Sequence, residues 1–143
     1  TGTTPTAWND PARGAELAKA QFAQGIDVIF AAAGGTGTGV YQAAKDAGKL
    51  AIGVDSNQNH LQPGTMLTSM VKRVDVAVAA AFKGVTPGVT NLGLKENGVD
   101  YALDQYNSTL VTPEMKAKVD AAKADIIAGK IKVVDYMAAN SCI

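Results

Sequence analysis

The sequence predicts an α/β fold with a parallel sheet flanked by helices, and two observations support this. Short β-branched runs alternate with amphipathic helical stretches along the 143 residues. A glycine-rich turn then joins the first of these runs to a helix and a second run, in strand–helix–strand order. Such a unit of roughly 30 residues places its two strands in parallel in one sheet.

The first part of the chain supplies most of the predicted elements. Asp10 followed by Pro11 is typical of a helix start, with a capping carboxylate and proline in the first turn. Gly25 is a typical helix end. The pattern then predicts a strand at 26–30. A helix follows, with an apolar stripe from Val40 to Ala47 and its end at Gly48. Two further strands are predicted at 50–54 and 66–71, and another helix at 74–82.

The second part begins after Thr86-Pro87-Gly88, which is the strongest boundary signal in the chain. The pattern there predicts a short strand at 90–94. It next predicts a long helix that is capped by Thr112 and closed by Gly129. A final strand is predicted at 131–134. No internal repeat or low-complexity tract interrupts this order.

Composition excludes several classes of function. Lys plus Arg and Asp plus Glu each number 13, so the formal net charge is zero. A nucleic-acid-binding protein usually has a basic excess, and a membrane-surface protein usually has a polybasic face. Hydrophobic residues make up 47% of the chain, which is enough for a packed core. No apolar run reaches the roughly 18 residues of a membrane span, so we expect a soluble chain.

The turn at 34–39 could contact a ligand, because glycines let a ligand approach the backbone closely. Its glycines are spaced GxGxG rather than GxGxxG, and no Lys-Ser/Thr pair follows, so the dinucleotide and P-loop patterns do not fit. A ligand-contacting turn centred on Gly34 is the favoured interpretation. Phosphate binding and plain turn geometry remain the alternatives.

Three further residues are candidates for ligand binding. Asp55 follows a predicted strand, at the edge of the sheet where ligands bind in open α/β folds, and could accept hydrogen bonds from adjacent hydroxyls. Lys72 ends the next strand and could donate to a hydroxyl or to Asp55. Trp8 precedes a helix in a polar loop and could offer a stacking surface. The alternatives are a turn cap, a solvated strand end and packing of Trp8 on its own helix.

Catalytic, metal and cofactor sites are not indicated. His60 is the single histidine and Cys142 the single cysteine, so neither belongs to a spacing typical of a metal site. No serine lies in a GxSxG context. We therefore expect a binding protein that uses no cofactor and no metal, rather than an enzyme.

Several stretches resemble one family over nearly the whole chain. They are 8–11 (WNDP), 25–37 (GIDVIFAAAGGTG), 51–58 (AIGVDSNQ), 67–75 (LTSMVKRVD), 93–99 (GLKENGV) and 127–131 (IAGKI). In this order they resemble the basic membrane protein (BMP, PnrA-like) substrate-binding proteins of ABC transporters. The resemblance implies a type I periplasmic-binding-protein fold, in which two α/β lobes close on a nucleoside. It implies that Trp8 stacks on the base, that Gly34 lies near the ligand, and that Asp55 and Lys72 hold the ribose hydroxyls.

Family members are much longer than 143 residues, so the chain resembles a carboxy-terminal portion with a mature or cleaved start. We expect 1–88 to be the carboxy-terminal ligand-binding lobe. We expect 89–143 to be a hinge and return segment that packs on the amino-terminal lobe. The implied partners are a nucleoside, an ABC permease with its ATPase and the amino-terminal half of the same protein, but no nucleic acid. The implied location is the periplasm or the outer face of the cytoplasmic membrane, with a lipid anchor. A nucleoside- or sugar-sensing module of the same fold is the alternative, and a Rossmann-type enzyme is a weaker one.

Overall fold

A computed structural model describes residues 3–84 and 87–140, without the side chains of Met137 and Ala139. It contains a four-stranded sheet and five helices within those ranges. The strands are β1 (Val28–Phe30), β2 (Leu50–Gly53), β3 (Met66–Lys72) and β4 (Val99–Tyr101). The helices are α1 (Pro11–Ala23), α2 (Gly37–Asp46), α3 (Val74–Lys83), α4 (Pro113–Ile127) and α5 (Tyr136–Ala139), and a 3-10 turn at Pro5–Trp8 precedes them.

The sheet has the strand order β1-β2-β3-β4. Neighbouring strands β1, β2 and β3 are parallel, as the strand–helix–strand order predicts, and β4 is antiparallel to β3. The sheet is therefore mixed, and its three parallel strands all end at the same edge.

The predicted starts of α1 and α4 are confirmed. The carboxylate of Asp10 accepts from the N–H of Arg13 at 3.0 Å, and the hydroxyl of Thr112 accepts from the N–H of Met115 at 3.2 Å. Each cap satisfies one of the amide groups that a helix start leaves without an intrahelical partner.

Other predicted bounds were wrong. The strand predicted at 90–94 is an irregular segment, and the strand lies instead at β4. The segment 131–134 forms no strand and leads into α5. Helix α2 begins at Gly37 rather than near Val40, so it takes in two glycines of the predicted turn. Thr86, part of the predicted boundary, and Cys142 lie outside the described residues.

The core lies between one face of the sheet and the pair α1 and α2. Its buried apolar side chains come from both helices, from β2 and β3, and from the residue that follows β1: Ala18, Phe22, Ala31, Val40, Tyr41, Ala43, Ala44, Ala51 and Met66. Helices α3 and α4 contribute no buried residue. Helix α4 is held near β4 by a hydrogen bond from Tyr101 to Asp120 at 2.7 Å and by the ion pair of Lys123 with Asp100 at 2.8 Å.

Candidate functional site

The four predicted site residues lie around one pocket of about 220 Å³ at the carboxyl edge of the parallel strands. Trp8 ends the 3-10 turn, Gly34 follows β1, Asp55 follows β2, and Lys72 is the last residue of β3. The remaining lining residues, which no sequence pattern indicated, are Ala32, Ala33, Val54 and Met70. Parallel strands that end together account for this convergence of distant segments.

Asp55 and Lys72 form the polar wall of the pocket. The Lys72 ammonium lies 2.7 Å from the Asp55 carboxylate, and the two side chains remain 61% and 53% exposed. The N–H of Lys72 also donates to the carbonyl of Asp55 at 2.9 Å. Because both charged groups are open to solvent, the pair can accept a hydrogen bond from one hydroxyl and donate to another.

Asp55 itself has a left-handed backbone, with φ of 69°. This conformation is uncommon for a residue with a side chain, and asparagine and aspartate tolerate it best. It is found at binding sites where the surrounding structure holds it in place. The described contact of the carboxylate is with Lys72 rather than with a helix end, which does not favour the turn-cap alternative.

Trp8 forms the apolar wall and is 61% exposed. Gly34 lies directly against it with φ of 55°, and a Cβ atom at Gly34 would lie 3.1 Å from the carbonyl oxygen and 3.6 Å from the ring of Trp8. Glycine at this position therefore provides both the left-handed turn and the room that Trp8 occupies. The exposed ring does not favour the alternative that Trp8 simply packs on its own helix.

Gly35 and Gly39 allow the turn to pack closely on the residues at the start of α1. A Cβ atom at Gly39 would lie 1.8 Å from the carbonyl oxygen of Pro11, and one at Gly35 would lie 2.9 Å from the side chain of Asn9. Thr36 adds a buried link, because its hydroxyl donates to the carbonyl of Ala7 at 2.7 Å. These contacts lock the turn onto the start of α1 and so hold Trp8 in place.

A second set of residues supports the segment 54–58 that follows β2, and no sequence pattern indicated this set. The hydroxyl of Tyr41 donates to the side-chain oxygen of Gln58 at 2.7 Å, and the N–H of Val54 donates to the same oxygen at 3.1 Å. The N–H of Gln58 donates to the hydroxyl of Ser69 at 3.0 Å. Burial, together with the carboxylate of Asp55, raises the pKa of Tyr41, so its phenol remains a neutral donor. Tyr41 is fully buried, and no sequence pattern pointed to its role.

Asp104 forms hydrogen bonds with the segment that follows β2. Its carboxylate accepts from the side-chain amides of Asn57 at 2.7 Å and Asn59 at 3.1 Å, and from the N–H of Tyr106 at 2.8 Å. The hydrogen bond from Asn57 is the largest cause that lowers the pKa of Asp104. His60 lies beside Tyr106, with ring centroids 6.4 Å apart.

Within 3–84 and 87–140 no group of three or more His, Cys, Asp or Glu side chains could hold a metal ion. In the same ranges no helix is both long and apolar enough to cross a bilayer. A larger apolar cleft of about 460 Å³ lies on the sheet face opposite the core, lined by Phe30, Ile52, Val119 and Ile126 among others, and it shares only Met70 with the site.

The pocket at the carboxyl edge, with binding groups on one wall and an exposed aromatic ring on the other, is typical of the ligand-binding lobe of an α/β solute-binding protein. The family model described as "ABC transporter substrate-binding protein PnrA-like" matches residues 4–135, and the chain belongs to this family. The resemblance found in the sequence is thereby confirmed.

Two curated relatives show how much of the family protein the chain represents. The "ABC transporter nucleoside-binding protein BmpA" of Lactococcus lactis is 36% identical, and the match covers 88% of this chain and 41% of that protein. The "CD4+ T-cell-stimulating antigen" of Listeria monocytogenes is also 36% identical, over 85% of this chain and 39% of the relative. The chain thus spans about two fifths of the length of these relatives.

Solved structures support the fold. An ABC transporter solute-binding protein from Aeropyrum pernix superposes with a TM-score of 0.72 at 29% identity, covering 89% of this chain and 45% of that one. A Bacillus halodurans protein described as a transcriptional activator of the comK gene also gives a TM-score of 0.72, at 27% identity, over 84% and 43% of the two chains. The expected type I periplasmic-binding-protein fold is consistent with both.

Proposed function

We propose that this chain is the carboxy-terminal ligand-binding lobe of a nucleoside receptor that serves an ABC importer. The observation that carries the proposal is the convergence of Trp8, Gly34, Asp55 and Lys72 on one pocket. The Lactococcus lactis relative, whose name describes nucleoside binding, supports the choice of ligand.

The chemistry of the pocket suits a nucleoside. A ribose presents two adjacent hydroxyls, and the half-exposed pair of Asp55 and Lys72 offers one strong acceptor and one charged donor 2.7 Å apart. Charge-assisted bonds of this kind are stronger than neutral ones. The exposed ring of Trp8 would stack on the base, and the backbone at Gly34 would contact the ligand from the side. This arrangement binds a ligand without transforming it.

The pocket provides only part of a binding site. Its volume of about 220 Å³ is below the range of about 300–1,000 Å³ for small-molecule sites, and it is open to solvent. The amino-terminal half of the same family protein would supply the opposite wall. In this proposal residues 1–88 form the lobe and 89–143 the return segment, and β4 of the latter joins the sheet of the former.

The proposed partners and location follow from the family. An ABC permease with its ATPase would receive the nucleoside, and the receptor would act in the periplasm or on the outer face of the cytoplasmic membrane. Two relatives from Pyrococcus species named as lipoproteins support a lipid anchor in the whole protein.

Titration of nucleosides into a two-lobe protein tests the proposal. The two-lobe chimera consists of this chain joined to the part of the Lactococcus lactis relative that precedes the matched region. Adenosine, guanosine, inosine and uridine are titrated by calorimetry, and we expect at least one to bind and to change the fluorescence of Trp8. Asp55→Asn should weaken that binding.

The matched control is Asp27→Asn. Asp27 also has an exposed carboxylate in an ion pair, with Lys49 at 2.5 Å, but it lies at the amino end of the same strands and does not line the pocket. Binding that responds equally to both variants, or to neither, would contradict the ribose role of Asp55.

A sensing module is the second candidate, and the similarity to the Bacillus halodurans protein described as a transcriptional activator favours it. The same pocket would then bind a nucleoside or sugar without transport. Two observations would favour sensing over import. One is a DNA-binding or kinase segment in the parent reading frame. The other is failure of the chimera to stimulate a nucleoside-specific permease–ATPase complex.

A further inference from the structure

Asp55 is the central residue of a tight turn at the carboxyl end of β2. The N–H of Ser56 donates to the carbonyl of Val54 at 2.8 Å, and the backbone of Asp55 between them has a positive φ of 69°. A hydrogen bond between residues two positions apart defines a γ-turn, and the form with positive φ is rare and strained. Such a backbone persists only where the surrounding structure holds it. The turn therefore needs partners on both of its sides.

Two hydrogen bonds hold this turn. The carbonyl of Asp55 accepts from the N–H of Lys72 at 2.9 Å, which fastens the turn to the end of β3. The N–H of Val54 donates to the side-chain oxygen of Gln58 at 3.1 Å. Val54 is 3% exposed and β2 has already ended at Gly53, so this N–H needs a partner other than a strand. The side chain of Gln58 supplies that partner.

The side chain of Gln58 is itself held in place. Its oxygen also accepts from the hydroxyl of Tyr41 at 2.7 Å, and the backbone N–H of Gln58 donates to the hydroxyl of Ser69 at 3.0 Å. A Cβ atom at Gly53 would lie 3.1 Å from the Gln58 oxygen, so glycine leaves room for it. Because a backbone N–H can only donate, the atom that faces Val54 must be an acceptor. A side chain without an acceptor cannot replace Gln58 here.

The hydroxyl of Tyr41 also lies between the two segments that line the pocket. A Cβ atom at Gly37 would lie 2.9 Å from the hydroxyl oxygen. Gly37 begins α2 directly after the turn that carries Gly34, and Gln58 follows the turn that carries Asp55. Tyr41 is 1% exposed, so a shift of either segment would disturb a buried hydrogen bond. The contact between Tyr41 and Gln58 thus ties the two segments together.

We propose that Gln58 is a positioning residue for ligand binding, because its side-chain oxygen holds the strained turn that presents the Asp55 carboxylate to the pocket. Gln58 does not line the pocket, so it acts on the ligand through Asp55. This inference rests on the proposed function, since it takes Asp55 as the residue that binds the hydroxyls of the ligand. It adds that an amide oxygen outside the pocket sets part of the affinity.

Nucleoside titration of the two-lobe chimera, followed by calorimetry, tests this role. Gln58→Met keeps the length of the side chain but removes the acceptor, and it should raise the dissociation constant about tenfold. In the Asp55→Gly background the same change should have an effect of about twofold or less, because no carboxylate remains to be positioned. Gln58→Glu keeps an acceptor for both donors and should lose less affinity than Gln58→Met.

Gln62→Met is the matched control. Gln62 is half-buried like Gln58, but its side chain donates to Gln42 at 2.9 Å rather than to the turn. The control should leave nucleoside affinity unchanged.

The turn is also measured without ligand, by NMR of the isolated chain. The Val54 amide should exchange about tenfold faster in Gln58→Met than in the unchanged chain, and the couplings that report φ should show loss of the positive value at Asp55. If Gln58→Met does not fold, Tyr41→Phe takes its place, because it removes one of the two donors to the Gln58 oxygen. It should give smaller changes in the same direction.

The outcomes separate this proposal from the proposed function. An equal loss of affinity with and without the Asp55 carboxylate would make Gln58 merely structural and overturn the proposal. So would an unchanged turn in Gln58→Met. If Asp55→Gly weakens binding and Gln58→Met does not, the positioning role alone is wrong. If Asp55→Gly leaves affinity unchanged, the proposed function is wrong and the positioning role falls with it.

Discussion

Replacing Asp55 with glycine separates a ligand-binding role from a structural one. The left-handed backbone of Asp55, with φ of 69°, costs a residue with a side chain about 1–2 kcal/mol, and glycine avoids this cost. Glycine loses about 0.5–1 kcal/mol through its freedom in the unfolded chain. The half-exposed ion pair with Lys72 contributes about 0–1 kcal/mol. These opposing contributions nearly cancel.

We therefore expect Asp55→Gly to change the free energy of unfolding of the isolated chain by less than about 1 kcal/mol. In the two-lobe chimera the same change should cost about 2–4 kcal/mol of nucleoside affinity, because charge-assisted bonds in a closed cleft are lost. That cost corresponds to a dissociation constant raised about 30- to 700-fold. Urea denaturation followed by circular dichroism measures the first quantity, and calorimetry measures the second.

The opposite pattern would refute the reasoning. If Asp55→Gly destabilises the isolated chain by more than about 2 kcal/mol and leaves affinity unchanged, Asp55 is a structural cap. Asp27→Gly serves as the control, because Asp27 has a similar exposed ion pair but does not line the pocket. It should leave nucleoside affinity unchanged.

Three further predictions concern packing, pH and stacking. Gly39→Ala should destabilise the chain by about 3 kcal/mol, since the new methyl group would lie 1.8 Å from the carbonyl oxygen of Pro11. Gly93→Ala, whose Cβ meets nothing closer than 3.5 Å, should change thermal stability little, and equal effects of the two variants would contradict the packing role. Because the pKa of Asp104 is lowered in the folded chain, its carboxylate contributes stability that is present above the unfolded pKa of about 3.9 and is lost as the pH falls through the folded pKa. Between pH 6 and 2 the free energy of unfolding should therefore fall less steeply in Asp104→Asn than in the unchanged chain. An identical slope in both would contradict this role. Trp8→Ala in the chimera should weaken nucleoside binding by about 1–3 kcal/mol, as measured by calorimetry, and unchanged affinity would return Trp8 to a packing role.

Sequence patterns predicted the elements of the first 83 residues well because their signals are local. The Asp10 cap and the stripes of α1 and α2 each depend on residues a few positions apart. The strand predicted at 90–94 was wrong. The apolar residues of this segment resemble a strand pattern, but the segment pairs with none of the four strands of the described sheet. The true strand β4 contains Asp100, and its place depends on pairing with β3 and on the ion pair with Lys123, which is 23 positions away.

The convergence of the four candidate site residues on one pocket could be predicted from the sequence because the ends of parallel strands meet at one edge. The resemblance to the family selected the same positions. The supporting residues could not be found in this way. Tyr41, Gln58 and Ser69 are brought together only by the folded chain, and Gly39 was assigned to a ligand turn although its lack of a side chain serves the contact with Pro11.

The most direct test is a titration of the isolated, isotope-labelled chain with a nucleoside, followed by amide NMR spectra. In the proposed two-lobe receptor this chain supplies one wall of the site, so we expect weak binding with dissociation constants in the millimolar range, about −4 kcal/mol. Shift changes should be confined to the amides around Trp8, Gly34, Asp55 and Lys72. Shift changes centred on the apolar cleft near Ile126, or none with any of the four nucleosides, would contradict the assigned site. Micromolar binding by this chain alone would contradict its proposed role as one half of a two-lobe receptor.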